Sequence, residues 1–423
     1  MIKHRSGLFM ACAVIALSLS SPLRAQFSYD VVDDNRNFEL EKPLSFYWTP
    51  RYNRVEGVFL NIGARWRPQS MSQVIFYGDI GGGFWNQANK QVRFTAGFRK
   101  DFFEFERLSF GAEVFRQVES EDDWTVGNVE NTLASLLFRE DYKDYYGSHG
   151  FKVFVDHRFK GVHTLRFEVE RRTFDAFKRN INWSLFKGDF DSNPTRPNSF
   201  LVEGDEIGFK FISAFDWRDN PIFPLSGWFV EAIYERTIED FHTDGLFLTV
   251  KRFHQTFGNQ RVNVRAMIGA RRGDDAAAGK TSAGDSLRTS LADQYTIDIG
   301  GIGSLRGFDD KEFTGNRMFM LNANYLFSGD VLQKIPLQNV PYLGAFWTTL
   351  SLGVFLDTGW AWNTGNLNDG LWDGFGKLTF DNLKTNIGLS ILLLEGVFRL
   401  DVAKRLDRSD NDFRVTFRLL EKF

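Results

Sequence analysis

The sequence predicts an all-β protein, a 16-stranded antiparallel transmembrane β-barrel. Three observations predict this fold. Short segments alternate apolar and charged residues with a period of two over most of the chain. After residue 25 no uncharged apolar run approaches the ~20 residues that a membrane-spanning helix needs. The chain also ends on an alternating, aromatic-rich strand, which is typical of outer-membrane barrels.

The bulk composition is compatible with a barrel and excludes two other classes. The 423 residues include 45 phenylalanines, and 51 basic residues balance 54 acidic ones. The near-neutral charge gives no basic field for nucleic acid. The mean hydropathy of −0.28 excludes a bundle of membrane helices. A barrel fits this value because its lipid-facing and lumen-facing residues average out, and the phenylalanines then belong to the lipid-facing positions.

The first 25 residues predict a secretory signal peptide. Lys3 and Arg5 form a charged start, residues 7–18 form an apolar stretch too short to span a membrane, and Ala25 offers a cleavage site. An uncleaved N-terminal anchor is the alternative. The single cysteine, Cys12, lies in this segment, so the mature chain is expected to lack disulfides and cysteine-ligated metals. The expected organisation is a signal peptide at 1–25, a short periplasmic segment at 26–42 and an outer-membrane barrel at 43–423.

Sixteen segments show the alternating pattern. In one of them Val92, Phe94 and Phe98 alternate with Arg93 and Arg99, which gives the strand one apolar and one charged face. A soluble sandwich would alternate too, but the export signal and the tryptophans near strand ends favour a membrane barrel. Those tryptophans are Trp66, Trp85, Trp228, Trp360 and Trp362. The predicted strands are 43–52, 55–66, 73–84, 91–101, 107–118, 149–158, 163–173, 206–217, 227–237, 244–256, 261–272, 316–328, 348–360, 382–394, 396–405 and 412–423.

The connections between these strands fall into two classes. With both chain ends in the periplasm, the long connections at 119–148, 174–205 and 273–315 fall on the extracellular side and the tight ones on the periplasmic side. The exception is 329–347, a longer periplasmic connection. A short helix is expected within 124–146.

The last strand carries the expected signal for insertion into the outer membrane. One face holds a row of apolar side chains, interrupted by Glu421, and ends on an aromatic residue. The barrel-assembly machinery usually recognises its substrates by a C-terminal strand of this kind. That machinery is therefore an expected partner during the chain's own insertion. The residues of this signal are Phe413, Val415, Phe417, Leu419 and Phe423.

Five motifs resemble the BamA/TamA-like outer-membrane assembly and translocation superfamily, which includes bacterial surface antigens. The run GGIGSLRGF at 300–308 resembles the superfamily's sixth-loop signature. Four other elements resemble family elements and come in the family's order. They are the turn at 219–227, the twelfth strand at 317–327, the Phe-x-Asp-x-Gly motif at 354–359 and the fifteenth strand at 396–403. The resemblance covers 206–423 by motif and 43–205 by strand count.

The resemblance implies that the sixth loop enters the barrel and is pinned there by an ion pair between Arg306 and Asp357. Leu305, Gly307 and Phe308 complete the implied lock. Asp357 alternates with Phe355 and is therefore expected to point inward. The alternative is that both charges are merely solvated in a wet lumen.

One departure from the family bears on function. Family members that insert or translocate proteins carry periplasmic POTRA domains of ~80 residues, and segment 26–42 is too short to form one. A separately encoded periplasmic partner is therefore one expectation. Outer-membrane lipid and a second copy of the chain are the others, and no nucleic acid is expected.

Two functions remain open. In the first, a weak seam between the first and sixteenth strands helps to insert or move protein or lipid, because Pro43 and Pro50 limit the hydrogen bonding of the first strand. In the second, the chain is a passive pore or a surface interaction barrel. No enzyme, cofactor or metal site is expected, since nucleophile-elbow and phosphate-loop motifs are absent from the sequence. A lumenal hydrolase is the less favoured reading, with His157 or His163 beside Asp156, Glu168 and Glu170.

Overall fold

The computed structural model describes residues 43–84, 92–103, 107–160, 162–186, 198, 202–221, 224–258, 260–273, 291–327, 350–393, 398–408 and 412–419. The predicted signal peptide 1–25, the segment 26–42, Trp85, the connection 329–347 and Phe423 lie outside these residues. Within the described ranges, the helical segments are too short or too polar to cross a membrane.

The described chain is almost entirely β-structure. The strands are β1 Leu44–Asn53, β2 Gly57–Trp66, β3 Val74–Gly83, β4 Arg93–Phe102, β5 Leu108–Glu119, β6 Tyr146–Phe159, β7 His163–Ala176, β8 Gly204–Asp216, β9 Gly227–Glu239, β10 Thr243–Gln255, β11 Arg261–Gly273, β12 Ile297–Ile299, β13 Phe313–Gly315, β14 Arg317–Phe327, β15 Ser351–Trp362, β16 Lys384–Leu393, β17 Phe398–Arg405 and β18 Phe413–Leu419. One α-helix, α1, spans Asn128–Phe138. It confirms the helix predicted within 124–146.

Sixteen of the strands form one sheet in sequence order, from β1 to β11 and then from β14 to β18. The predicted number and order of long strands are therefore confirmed. β6 begins three residues earlier than predicted, because its antiparallel ladder with β5 continues to the pair Glu119–Tyr146. β12 and β13 pair only with each other, within the connection predicted at 273–315, and were not predicted.

The described residues divide into two compact units, one within residues 1–211 and 237–241 and one within residues 212–236 and 242–423. In the first unit, β4 and β5 bury polar side chains and expose apolar ones. On β4, Arg93 and Arg99 are buried while Phe94 is exposed; on β5, Ser109 is buried while Val114 is exposed. This is the reverse of a soluble sandwich, whose buried faces are apolar.

The second unit shows the same inversion. Asp357 and Asp401 are fully buried, whereas Val354, Leu389 and Val415 are exposed. Phe355 is buried beside Asp357, so the expectation that the two alternate was wrong: residues two apart on a strand share a face. Asp357 does lie on the buried face, and the outward neighbours are Val354 and Leu356.

The strand-end tryptophans do not all behave alike. Trp66 and Trp228 are exposed, as an interfacial position requires. Trp362 is buried because its ring meets Phe375 edge-on at 5.4 Å and its indole N–H donates to the carbonyl of Gly374 at 3.2 Å. The connection after β15 thus covers this tryptophan.

In the first unit the β1–β2 turn is held by the segment that contains α1. Arg54 is fully buried; its backbone N–H donates to the Asp141 carboxylate at 2.8 Å, and its guanidinium donates to the Asp141 carbonyl at 2.8 Å and pairs with Asp144. The Tyr52 backbone N–H donates to the hydroxyl of Thr132 on α1 at 3.2 Å. The end of the first hairpin and this segment therefore form one packed body.

Candidate functional site

The loop between β11 and β14 ends in a tight tip, residues 300–312, which β12 and β13 close by pairing with each other. Gly300, Gly301 and Gly303 have φ values of 124°, 80° and 79°, a region that side chains disfavour. A Cβ on Gly307 would lie 2.7 Å from the Cβ of Asn386 on β16. Only glycine permits so close an approach, and the tip consequently lies directly against the buried face of the sheet.

Arg306 and Asp357 form a two-point ion pair. The Nε of Arg306 donates to one oxygen of Asp357 at 2.8 Å, and Nη2 donates to the other at 2.6 Å. The backbone N–H of Arg306 adds a third bond to the same carboxylate at 3.2 Å. Both side chains are buried, with 5% and 0% exposure. The geometry is the fork arrangement that fixes a guanidinium in orientation as well as in position.

Asparagines and an aromatic ring complete the surroundings of this pair. The side-chain amides of Asn322 and Asn386 donate to the two Asp357 oxygens at 2.8 and 3.0 Å. The Arg306 guanidinium carbon lies 3.5 Å from the centre of the Phe355 ring. The hydrogen bonds from these donors offset the cost of removing the Asp357 carboxylate from water. The guanidinium over the ring gains cation–π attraction.

A second ion pair joins the first into one network. Arg399 Nε donates to Asp401 at 2.7 Å, and Arg306 Nη1 lies 3.5 Å from the other Asp401 oxygen. The side-chain oxygen of Asn324 accepts from both arginines, at 3.0 and 3.1 Å. Two buried guanidinium groups therefore share two buried carboxylates, and the network carries no net charge.

The other apolar residues implied for the lock are buried, and Phe308 contacts the sheet. Leu305 and Phe308 are fully buried. The Phe308 ring lies 4.1 Å from the guanidinium carbon of Arg405 and meets Phe313 edge-on at 5.4 Å, and the Phe308 carbonyl accepts a bond from Arg414 on β18. The structure thus brings Leu305, Arg306, Gly307, Phe308 and Asp357 together.

Sequence reasoning missed the remaining members of the network. Arg399 and Asp401 lie in the motif at 396–403, two residues apart, so strand alternation places them on one face and could have identified them. Asn322, Asn324 and Asn386 carry no such signal. Their roles depend on strand register, which pairs Asn322 with Asp357 and Asp357 with Asn386.

The last strand has the two predicted faces where it is described. Phe413, Val415 and Phe417 are exposed and Leu419 is half-buried. Arg418 is buried on the opposite face. The predicted terminal aromatic, Phe423, lies outside the described residues.

The turn between β8 and β9, one of the five family-like motifs, is organised by Asp219. Its carboxylate accepts backbone N–H bonds from Asn220 at 2.8 Å, Leu225 at 3.0 Å and Ser226 at 3.1 Å. Slight burial raises the pKa of Asp219, but these amide bonds together lower it below its usual value. Gly227 ends the turn with φ 121°, where a Cβ would lie 2.3 Å from the Trp217 carbonyl oxygen.

The residues considered for a lumenal hydrolase take part in ion pairs and ring contacts. Asp156 and Glu168 lie 3.6 and 2.8 Å from the guanidinium of Arg166. The rings of His157 and His163 lie 5.7 and 5.2 Å from that of Phe159. Within the described ranges, no group of three or more His, Cys, Asp or Glu side chains converges as a metal site would require.

Comparison with solved structures identifies the fold. BamA from Haemophilus ducreyi lacking POTRA domains 1–3 superimposes with a TM-score of 0.53, at 11% sequence identity, over 89% of this chain and 69% of that one. The chain has a BamA-like fold.

Two further solved structures and one family are similar. CdiB from Acinetobacter baumannii gives a TM-score of 0.40 at 11% identity over 88% of this chain, and CdiB from Escherichia coli gives 0.42 at 12% identity over 90%. The chain spans 58% and 63% of those two structures. Residues 22–211 match the C-terminal domain of a family of unknown function, DUF5686. No curated protein sequence matches the chain.

The family match and the motifs that suggested the BamA-like fold cover different parts of the chain. The DUF5686 match ends at residue 211, whereas Arg306, Asp357 and the network around them lie beyond it. At 11% identity the likeness to BamA is one of fold.

Proposed function

We propose that the chain is an outer-membrane β-barrel, closed between β1 and β18, with the β11–β14 loop inside its lumen. The observation that carries this proposal is the inverted burial of its strands, which hide charged residues and expose apolar ones. Water would favour the opposite arrangement, whereas lipid around a polar lumen favours this one. On this proposal the last strand directs insertion by the barrel-assembly machinery, and outer-membrane lipid is the surrounding partner.

The proposed activity is that of the assembly and translocation type: a weak seam between β1 and β18 helps to insert or move protein or lipid. Pro50 gives β1 a position without a backbone donor on the side away from β2, because Pro43, seven residues earlier and just before β1, faces β2 and accepts the N–H of Arg67 at 2.7 Å. In the second unit, by contrast, the loop tip ties β15, β16 and β18 through Asp357, Asn386 and Arg414. Docking of client proteins would fall to a separately encoded periplasmic partner or a second copy of the chain.

Locking the seam with a disulfide is expected to abolish this activity. The only cysteine in the sequence is Cys12, so cysteine pairs combining Phe46 or Trp48 with Val415 or Phe417 would be the only pairs in the mature barrel. Growth of a strain that depends on the chain, and assembly of its outer-membrane proteins, should fail under oxidation and recover with reductant.

The matched control is the double variant Val402→Cys, Val415→Cys. These two positions lie opposite each other in the β17–β18 ladder, so their disulfide joins strands that are already paired. This variant should support growth in both redox conditions. Full growth with a seam-locked barrel would refute the opening seam.

The second candidate is a passive pore, favoured by the charged buried faces and by the strand number, since 16 strands can enclose an aqueous channel. Planar-bilayer conductance separates the two. An assembly-type barrel plugged by its loop is expected to show small, irregular openings, and Arg306→Ala should enlarge them several-fold because the tip loses its anchor. Large steady openings in the unaltered chain, unchanged in the variant, would favour the pore.

A further inference from the structure

A cluster of polar side chains lies on the exposed face of β9, β10 and β11, within the second unit. Its members are Tyr234 and Arg236 on β9, Asp244 on β10 and Arg272 on β11. Arg272 Nε donates to Asp244 at 2.8 Å, the Tyr234 hydroxyl donates to the other Asp244 oxygen at 2.9 Å, and Arg236 Nε lies 4.0 Å from it. The guanidinium groups of Arg272 and Arg236 therefore approach the two different oxygens of Asp244, at 2.8 and 4.0 Å.

The charge balance of this cluster differs from that of the opposite face. On the buried face of the same strands, Arg271 pairs with Glu235 at 2.9 Å, one cation to one anion. In the cluster, two arginines share one carboxylate, which leaves one net positive charge. The side chains of Arg236 and Arg272 remain 59% and 42% exposed, so their outer N–H groups can receive an anion.

The position along the strands matches a membrane boundary. A second polar group lies towards the other end of β9 and β10, where the Arg252 guanidinium carbon is 4.9 Å from the Trp228 ring and Arg252 lies 3.4 Å from His254. Between Asp244 and Arg252 the outward residues of β10 are Leu246, Leu248 and Val250. Eight residues of a strand tilted by ~40° cross roughly 20 Å, close to the ~25 Å apolar band of an outer-membrane barrel.

We propose that the Tyr234–Arg236–Asp244–Arg272 cluster binds the phosphate of a phosphorylated glycolipid in the outer leaflet. The inference rests on the membrane orientation proposed above, which puts this end of β9, β10 and β11 on the extracellular side. Paired guanidinium groups match the oxygens of a phosphate in fork geometry. The outward apolar residues of β10 then lie beneath the headgroup, where the acyl chains of the same lipid run.

Binding of lipid A tests the site. The purified chain in neutral-lipid nanodiscs should retain lipid A that carries its phosphates, measured by native mass spectrometry, and should retain enzymatically dephosphorylated lipid A at least about tenfold less well. The double variant Arg236→Gln, Arg272→Gln should lose this preference. Arg252→Gln, which removes an outward arginine near the other boundary, should keep it.

Three outcomes would count against the site. Equal retention of the two lipids by the unaltered chain, or an undiminished preference in the double variant, overturns it. Displacement of lipid A by excess inorganic phosphate would show an ion site rather than a lipid site. Co-flotation with neutral vesicles is measured first: a chain that does not float contradicts the membrane proposal itself, whereas a chain that floats without discriminating the lipids contradicts only this inference.

Discussion

Replacing Asp357 by alanine is expected to lower the free energy of unfolding of the second unit by about 3–5 kcal/mol, because the buried network would keep two guanidinium groups but only one carboxylate. Asn322 and Asn386 would also lose the acceptor that each contacts. Urea unfolding in detergent, followed by tryptophan fluorescence, measures the change. Proteolysis within 300–312 should rise in parallel, since the tip is held to the sheet through this carboxylate.

Two companion variants separate loss of the pair from loss of one charge. The double variant Arg306→Ala, Asp357→Ala should be more stable than Asp357→Ala alone, because no buried charge is left over. Asp357→Asn keeps the side-chain shape but removes the charge, and should fall between the unaltered chain and Asp357→Ala. If Asp357→Ala unfolds at the same urea concentration as the unaltered chain, the ion pair does not hold the loop.

On the proposed membrane orientation, placing an arginine at Leu389 is expected to destabilise the barrel by about 2–4 kcal/mol, because the side chain would enter the hydrocarbon layer. Leu389 is 62% exposed near the middle of β16, opposite Val354 and Val402. In a water-soluble sheet the same change at an exposed position would cost almost nothing. Reversible folding into lipid vesicles, followed by heat-dependent migration on gels, measures the difference.

Leu406→Arg is the matched control. Leu406 is 53% exposed but follows the end of β17, outside the strands, where its backbone N–H reaches the Thr385 carbonyl at 2.9 Å. The proposed orientation predicts little effect there. Equal tolerance of arginine at 389 and 406 would contradict a lipid-facing sheet.

The long strands could be predicted from the sequence because each shows its period of two locally. The alternation of Phe94 with Arg93, or of Val415 with Arg414, needs no knowledge of neighbouring strands. β12 and β13 could not be predicted in this way. Each has three residues, too few to show a period, and they pair only because the glycine-rich tip between them folds tightly.

The candidate site was predictable only in part. Arg306 and Asp357 stand out in recognisable motifs, whereas the three asparagines around them owe their positions to register between strands that are far apart in sequence. Phe355 was expected on the face opposite to Asp357, although residues two apart on a strand share a face. The contact between its ring and the Arg306 guanidinium was therefore not predicted. Burial of Trp362 likewise depends on Phe375, a residue in a connection whose path the sequence does not reveal.

The anchoring of Arg54 has a mechanical consequence for any opening at the first strand. The backbone and side chain of Arg54 both bind Asp141, and Tyr52 binds α1. The β1–β2 hairpin therefore cannot move independently of the segment that contains α1. It must carry the helix-bearing segment with it, or first break a set of buried polar contacts. These contacts would make such an opening slow. They would also place its hinge at the N-terminal end of β1, away from the β1–β2 turn.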